Sequence, residues 1–167
     1  MIDRITVSGG TLTWSGGQVR AAIGKGGLKA DKREGDGATP VGIFALRTLW
    51  YRADRVGLPA TMLERFSISQ SAGWCDDASD PGYNKPVRLP SKARHERLWR
   101  EDGLYDLIVP LGYNDDPAVP GLGSAIFLHC ARPDYGPTEG CVAVARADLL
   151  VLLPSCGPAT RIDIRPG

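Results

Sequence analysis

The residues of this chain best suited to chemistry lie in FLHCARPDYGPTEGCVAVARADLL, residues 127–150. They are His129 and, after a run rich in glycine and proline, Thr138-Glu139-Gly140-Cys141. A cysteine attacks a carbonyl as the thiolate, and an unperturbed thiol with a pKa of about 8.5 is mostly protonated at neutral pH. An imidazole beside it can take that proton, a third group must orient the imidazole, and the carbonyl oxygen needs hydrogen-bond donors as it gains charge. The stretch holds candidates for each part. His129 ends the apolar run AIFLH, and Pro133, Gly136 and Pro137 turn the chain back. Gly140 removes the side chain next to Cys141, so that substrate and backbone N–H groups can approach. Thr138 offers a hydroxyl within the loop, and a backbone carbonyl is a candidate partner for His129, since no acid occupies an obvious place.

Other readings of the same residues stand beside this one. Cysteine is among the most buried residue types, and a histidine after an apolar run is often a satisfied core group. His129, Cys130 and Cys141 are all potential zinc ligands, although their spacing matches no usual zinc pattern and a fourth ligand is undefined. Cys130 and Cys141 are also a candidate redox pair. Cys75, Cys130, Cys141 and Cys156 form no CxxC motif, so a disulfide framework is not expected.

The elements that must position these residues are mostly strands. Glycine (21) and proline (13) punctuate short apolar runs, the pattern of a β-rich domain with many turns. RITVS, LTW, VRAAIG, GIFALRTLWY, YDLIVPLGY, AIFLH and TRIDIR read as strands. In the last of these, Ile162 and Ile164 alternate with charged residues. Two segments read as short helices: SKARHERLWRE, with Ser91 as N-cap and His95 on a solvated face, and RADLLVLL, which stops at Pro154. Two long loops, 24–41 and 69–90, have sparse apolar periodicity, and loops of that length are more often functional than idle. With 43% hydrophobic residues and no boundary signal, residues 1–167 read as one domain. A net charge of +1 offers no reason to expect nucleic acid or an anionic membrane as partner. The N-terminal segment lacks a signal-peptide pattern, and no run approaches the roughly 18 apolar residues of a membrane helix. The expected compartment is therefore the cytoplasm, or the periplasm if an export signal has been removed.

His129 followed by Thr138-Glu139-Gly140-Cys141 resembles the His…[Ser/Thr]-His-Gly-Cys signature of the L,D-transpeptidase catalytic domain, the YkuD-like family. GKGGLKADKREGDGATPVGIFAL resembles that family's N-terminal segment, and GWCDD…GYNKPVRLP and LWREDGLYDLIVPLGYN resemble a short subfamily. The likeness spans about Gly24 to Leu153. It implies a mainly β, sandwich-like catalytic domain with one or two short helices, Cys141 as nucleophile and His129 as base. It also implies attack on the third residue of a peptidoglycan stem peptide or muropeptide. D-alanine leaves, and an amine or water then resolves the thioester, with no metal or organic cofactor. The alternatives within this frame are a cytoplasmic L,D-carboxypeptidase and a catalytically silent peptidoglycan-binding module. Glu139 stands where many members carry a second histidine, and Val142-Ala143 replaces a common polar residue, so neither of those roles carries over.

Four residues outside the catalytic set are candidates for substrate binding. Arg33, in the KREGDGATP loop, can hold a stem-peptide carboxylate or pair with Asp36 to fix the loop. Tyr83 and Asn84 line a cleft or form an ordinary turn, and Arg132 faces substrate or solvent. Asp76, Asp77 and Asp80 lack the spacing and glycine of a calcium loop and read as a polar turn.

Overall fold

The computed structural model describes all 167 residues. The chain opens as a meander of β1 (Arg4–Ser8), β2 (Thr11–Trp14) and β3 (Gly17–Arg20), which buries Ile5, Val7 and Leu12. Loop 24–41 contains only the short parallel pair β4 (Leu28–Lys29) and β5 (Thr39–Pro40). GIFALRTLWY, expected as one strand, divides into β6 (Gly42–Ala45) and β7 (Leu49–Tyr51), which belong to different sheets. A one-turn helix α1 (Ala53–Val56) and β8 (Arg65–Ser67) follow.

The region from 69 to 101 departs furthest from expectation. The first stretch is not one loop, for it carries β9 (Ala72–Cys75) and β10 (Pro86–Arg88). SKARHERLWRE is not a helix: it contains β11 (His95–Arg97), paired with β9 so that His95 faces Cys75 and Glu96 faces Trp74. The Ser91 hydroxyl accepts from the Ala93 N–H at 3.2 Å within a turn and caps no helix. Leu98 is the one buried side chain of this segment, too little for an apolar helical stripe, so backbone pairing to β9 decides its form. His95 accordingly sits half-buried on a strand and not on a solvated helix face. The remaining elements are β12 (Leu107–Pro110), β13 (Phe127–Cys130), β14 (Val142–Val144), α2 (Arg146–Leu152) with a short 3-10 turn to Ser155, and β15 (Arg161–Ile164).

Two five-stranded sheets pack face to face, in the orders β3-β2-β1-β15-β6 and β14-β13-β12-β7-β8. Ile5, Val7, Ile162 and Ile164 of the first meet Leu107, Val109, Leu128, Val142 and Val144 of the second in one core, with Leu149, Leu152 and Leu153 from the α2 region added. The second sheet is covered on its other face too. There a three-stranded sheet, β10-β9-β11, supplies Trp74 to a smaller core shared with Ile108, Phe127 and Tyr105. The architecture is thus the expected mainly β sandwich with short helices. No helix is long and apolar enough to cross a membrane. Because β13 is central and buried on both faces, Leu128→Ala should cost about 2–5 kcal/mol in chemical denaturation. Ile43→Ala, at a side chain 53% exposed on β6, should stay within about 0.5 kcal/mol of the parent.

Candidate active site

On β13 the side chains alternate between the two cores. Leu128 and Cys130 face the sandwich, while Phe127 and His129 face the three-stranded sheet. After β13 the chain loops through 131–140 and returns as β14, parallel to it, with His129 opposite Ala143. Cys141 stands just before β14. Its thiol donates to the Ala125 carbonyl at 3.2 Å and accepts from the Phe127 N–H at 3.3 Å. Cys141 and His129 line one cavity of about 510 Å³, shared with Glu96, Tyr105, Arg132 and Thr138.

The backbone around Cys141 is fixed by the long N-terminal loop. The Thr39 hydroxyl (3.3 Å) and the Thr138 hydroxyl (2.7 Å) both donate to the Cys141 carbonyl. Thr39 also accepts from the Gly24 N–H, and Thr138 accepts from the Gly140 N–H. Gly140 adopts φ +138°, and a Cβ there would lie 2.8 Å from the Ala38 carbonyl oxygen, so only glycine allows the two loops to meet. The Cys141 carbonyl is therefore held from two sides, while its N–H donates to no backbone acceptor. Glu139 makes an exposed ion pair with Lys25 at 2.8 Å across the rim, a contact of little energetic weight.

His129 Nδ1 lies 2.9 Å from the Cys130 carbonyl, and the ring meets Tyr105 edge to face at 5.2 Å. A carbonyl only accepts, so the neutral ring carries its proton on Nδ1 and leaves Nε2 free to accept. Burial pushes the imidazole down to about 4, against the pull of the Cys130 and Leu104 carbonyls. Burial likewise pushes the Cys141 thiol up to about 12, and nearby Glu96 adds to that push. At neutral pH the resting pair is thus an uncharged thiol and an uncharged imidazole, not a thiolate–imidazolium pair. Glu96 has its carboxyl raised by burial, with the Tyr105 hydroxyl hydrogen-bonded to it and opposing the shift.

The other expected residues fall into three groups. Arg132 is exposed and lines the cavity. Arg33 is exposed, and its guanidinium donates to the Lys32 carbonyl. Its expected side-chain pairing with Asp36 is replaced by a buried Lys32–Asp36 ion pair at 2.8 Å, to which Arg33 adds only its backbone N–H. Tyr83 and Asn84 are buried and brace loops. Tyr83 donates to Glu34 at 2.7 Å. Asn84 Oδ1 accepts from Trp74 Nε1 and the Ala125 N–H, and its Nδ2 donates to the carbonyls of Tyr113 and Asn114. That grip holds Ala125, at φ +54°, in the left-handed conformation from which its carbonyl reaches the thiol.

Cys130 packs in the sandwich core, on the face of β13 opposite His129. His129, Cys130 and Cys141 therefore do not converge as a zinc set, and the strand's pleat separates Cys130 from Cys141 as a redox pair. Sequence reasoning missed Thr39, Glu96 and Tyr105. The Thr-Pro pair closing the KREGDGATP loop was a signal for the first, and SKARHERLWRE read as a helix hid the second.

The fold is a mainly β sandwich in which a buried cysteine and a buried histidine share one cavity. The sequence model of the L,D-transpeptidase catalytic domain, YkuD, matches residues 3–164, and the chain belongs to that family. Among solved structures it is similar to L,D-transpeptidase 1 of Mycobacterium tuberculosis, at 12% identity and TM-score 0.44 over 96% of this chain and 57% of that one. It is similar also to an L,D-transpeptidase from Mycobacterium smegmatis, at 11% identity and TM-score 0.44 over 98% and 59%. The chain thus spans less than two thirds of the length of those proteins. No curated protein matches it.

Two outcomes follow from this geometry. Asn84→Ala strands the buried Trp74 and Ala125 donors and should cost about 2–4 kcal/mol in denaturation. Asn84→Asp keeps that acceptor but sets a carboxylate oxygen against the Tyr113 and Asn114 carbonyls, and should destabilise as well. Because the folded pKa of His129 is depressed, the folded state binds fewer protons than the unfolded chain below pH 6.5. Stability should therefore fall as pH drops from 6.5 through 4. His129→Gln should remove about 3 kcal/mol of that acid loss, read from denaturation midpoints across the same range.

Proposed function

We propose that residues 1–167 act as one catalytic unit, a cysteine acyltransferase on peptidoglycan stem peptides with Cys141 as nucleophile and His129 as base. The single observation that carries this reading is the shared cavity of Cys141 and His129, with Nδ1 tied to the Cys130 carbonyl and Nε2 left to accept a proton. As the thiol sulfur bonds to the carbonyl carbon of the third stem residue, its proton passes to His129 Nε2. The developing oxyanion is placed to accept from the unpaired Cys141 N–H, whose carbonyl end is clamped by Thr39 and Thr138. The C–N bond to D-alanine then breaks, and the proton on Nε2 goes to the departing amine. An amine from a second stem attacks the thioester and gives up a proton to His129 Nε2. As the S–C bond breaks, that proton passes to the sulfur, which restores the thiol and yields a cross-link. Water in place of the amine yields a tripeptide.

The neutral resting pair supports proton transfer in concert with attack, since a preformed thiolate is disfavoured by burial. Arg132, exposed at the cavity wall and in no ion pair, is the group best placed to meet a stem-peptide carboxylate. Arg33, Tyr83 and Asn84 serve the reading as supports of the surrounding loops.

Purified protein given a tetrapeptide muropeptide should release D-alanine and carry a transient Cys141 acyl adduct in mass spectrometry. Adding an amine acceptor separates transfer from hydrolysis, and a protein that binds the peptide but never acylates would be a silent binding module. His129→Ala should lower turnover by about 10²–10⁴-fold. Limiting iodoacetamide should label Cys141 ahead of Cys75, Cys130 and Cys156, since only Cys141 opens on the cavity. Even labelling of the four thiols would sink the assignment.

A further inference from the structure

We propose that Glu96 is the specificity residue of this cavity, pairing with a free ammonium group on the side chain of the donor's third residue; this rests on the acyl-transfer reading above. β11 sets Glu96 opposite Trp74 and directs its carboxylate into the cavity that holds Cys141 and His129. The Tyr105 hydroxyl donates to Oε1, and the Tyr105 ring packs on both Phe127 (5.8 Å) and His129 (5.2 Å). One oxygen is thus anchored to the wall that supports the imidazole. No cation of the chain pairs with Glu96. Arg100, the nearest candidate, is engaged by Asp102 and lies over the Tyr105 ring at 5.1 Å.

Of the other charged groups facing this region, Arg132 is exposed and in no ion pair, and Glu139 is paired with Lys25. Glu34 accepts from the hydroxyls of Tyr83 and Ser124, and Asp76 is paired with Arg94. Lys32 is held by Asp36, and His95 Nδ1 by the Ala93 carbonyl. Glu34 takes two hydroxyl donors on Oε1, whereas Glu96 takes one, from Tyr105, and is the lining carboxylate joined through that residue to the His129 ring. A half-buried carboxylate without a counter-ion is costly, so a ligand cation gains most at that point. The same charge raises the Cys141 thiol, so an ammonium bound at Glu96 cancels a field that opposes ionisation of the nucleophile. A donor of the right charge therefore both fits the cavity and eases its own attack.

The test compares two tetrapeptide donors, one with lysine at the third position and one with Nε-acetyl-lysine. Wild type should prefer the free amine by about 10–100-fold in kcat/KM, the scale of one hydrogen bond to a charged group. Glu96→Gln keeps the acceptor for Tyr105 and should bring the ratio near one. In the absence of any donor, the same variant should move the pH profile of Cys141 alkylation by iodoacetamide to lower pH. Equal use of both donors by wild type overturns the proposal, as does a variant that keeps the preference. Absence of turnover with either donor counts against the acyl-transfer reading alone, and the alkylation profile then decides: a profile unmoved by Glu96→Gln overturns the role of Glu96. Should the variant fail to fold, the donor pair on wild type decides by itself.

Discussion

Everything at the site depends on β13 being buried on both faces. A strand covered on one side only would offer a single row of buried positions, and the other row would meet water. Here Leu128 and Cys130 anchor the strand in the sandwich core, while Phe127 packs against Trp74 and Tyr105 in the second core. His129, next on that second face, is held in a nearly dry environment with a backbone carbonyl as its partner. The rigidity of the strand passes to the parallel β14, whose register places Cys141 at the same end of the cavity.

The second constraint is the meeting of two loops far apart in sequence. Thr39 and Thr138 grip the same Cys141 carbonyl, and Gly140 permits the approach of Ala38. Opposite them, Asn84 holds Ala125 so that its carbonyl accepts a hydrogen bond from the thiol. Four separate segments therefore set the position of one sulfur atom. Each uses a hydrogen bond to backbone, which specifies geometry without adding a charge near the thiol.

Burial then sets the chemistry. It lowers the imidazole and raises the thiol, so the two groups rest uncharged and the cavity avoids the cost of an isolated buried ion pair. The exception is Glu96, a carboxylate on the wall with a phenol as its only direct support. Tyr105 joins it to His129 by a hydrogen bond on one side and an edge-to-face ring contact on the other.

Much of this was legible in the sequence, for reasons that are local. AIFLH and TRIDIR carry their strand signal in apolar content and alternation, and RADLLVLL its helical one, and the structure has β13, β15 and α2 there. The order His129…Gly140-Cys141 placed two functional groups on either side of a turn, and the turn residues lie between them as expected. SKARHERLWRE misled because its propensity is helical while its partner, β9, lies some twenty residues away; pairing outweighed propensity. Arg33 and Asp36 are close in sequence, yet Asp36 chose Lys32, because the buried cation needs a counter-charge more than the exposed one does. Residue types and short spacings determined which groups could react. Which of them share a cavity, which carbonyl orients the imidazole and which carboxylate stands unpaired beside the thiol were decided only by tertiary structure. Those relations are set by pairing and desolvation between segments that the linear order keeps apart.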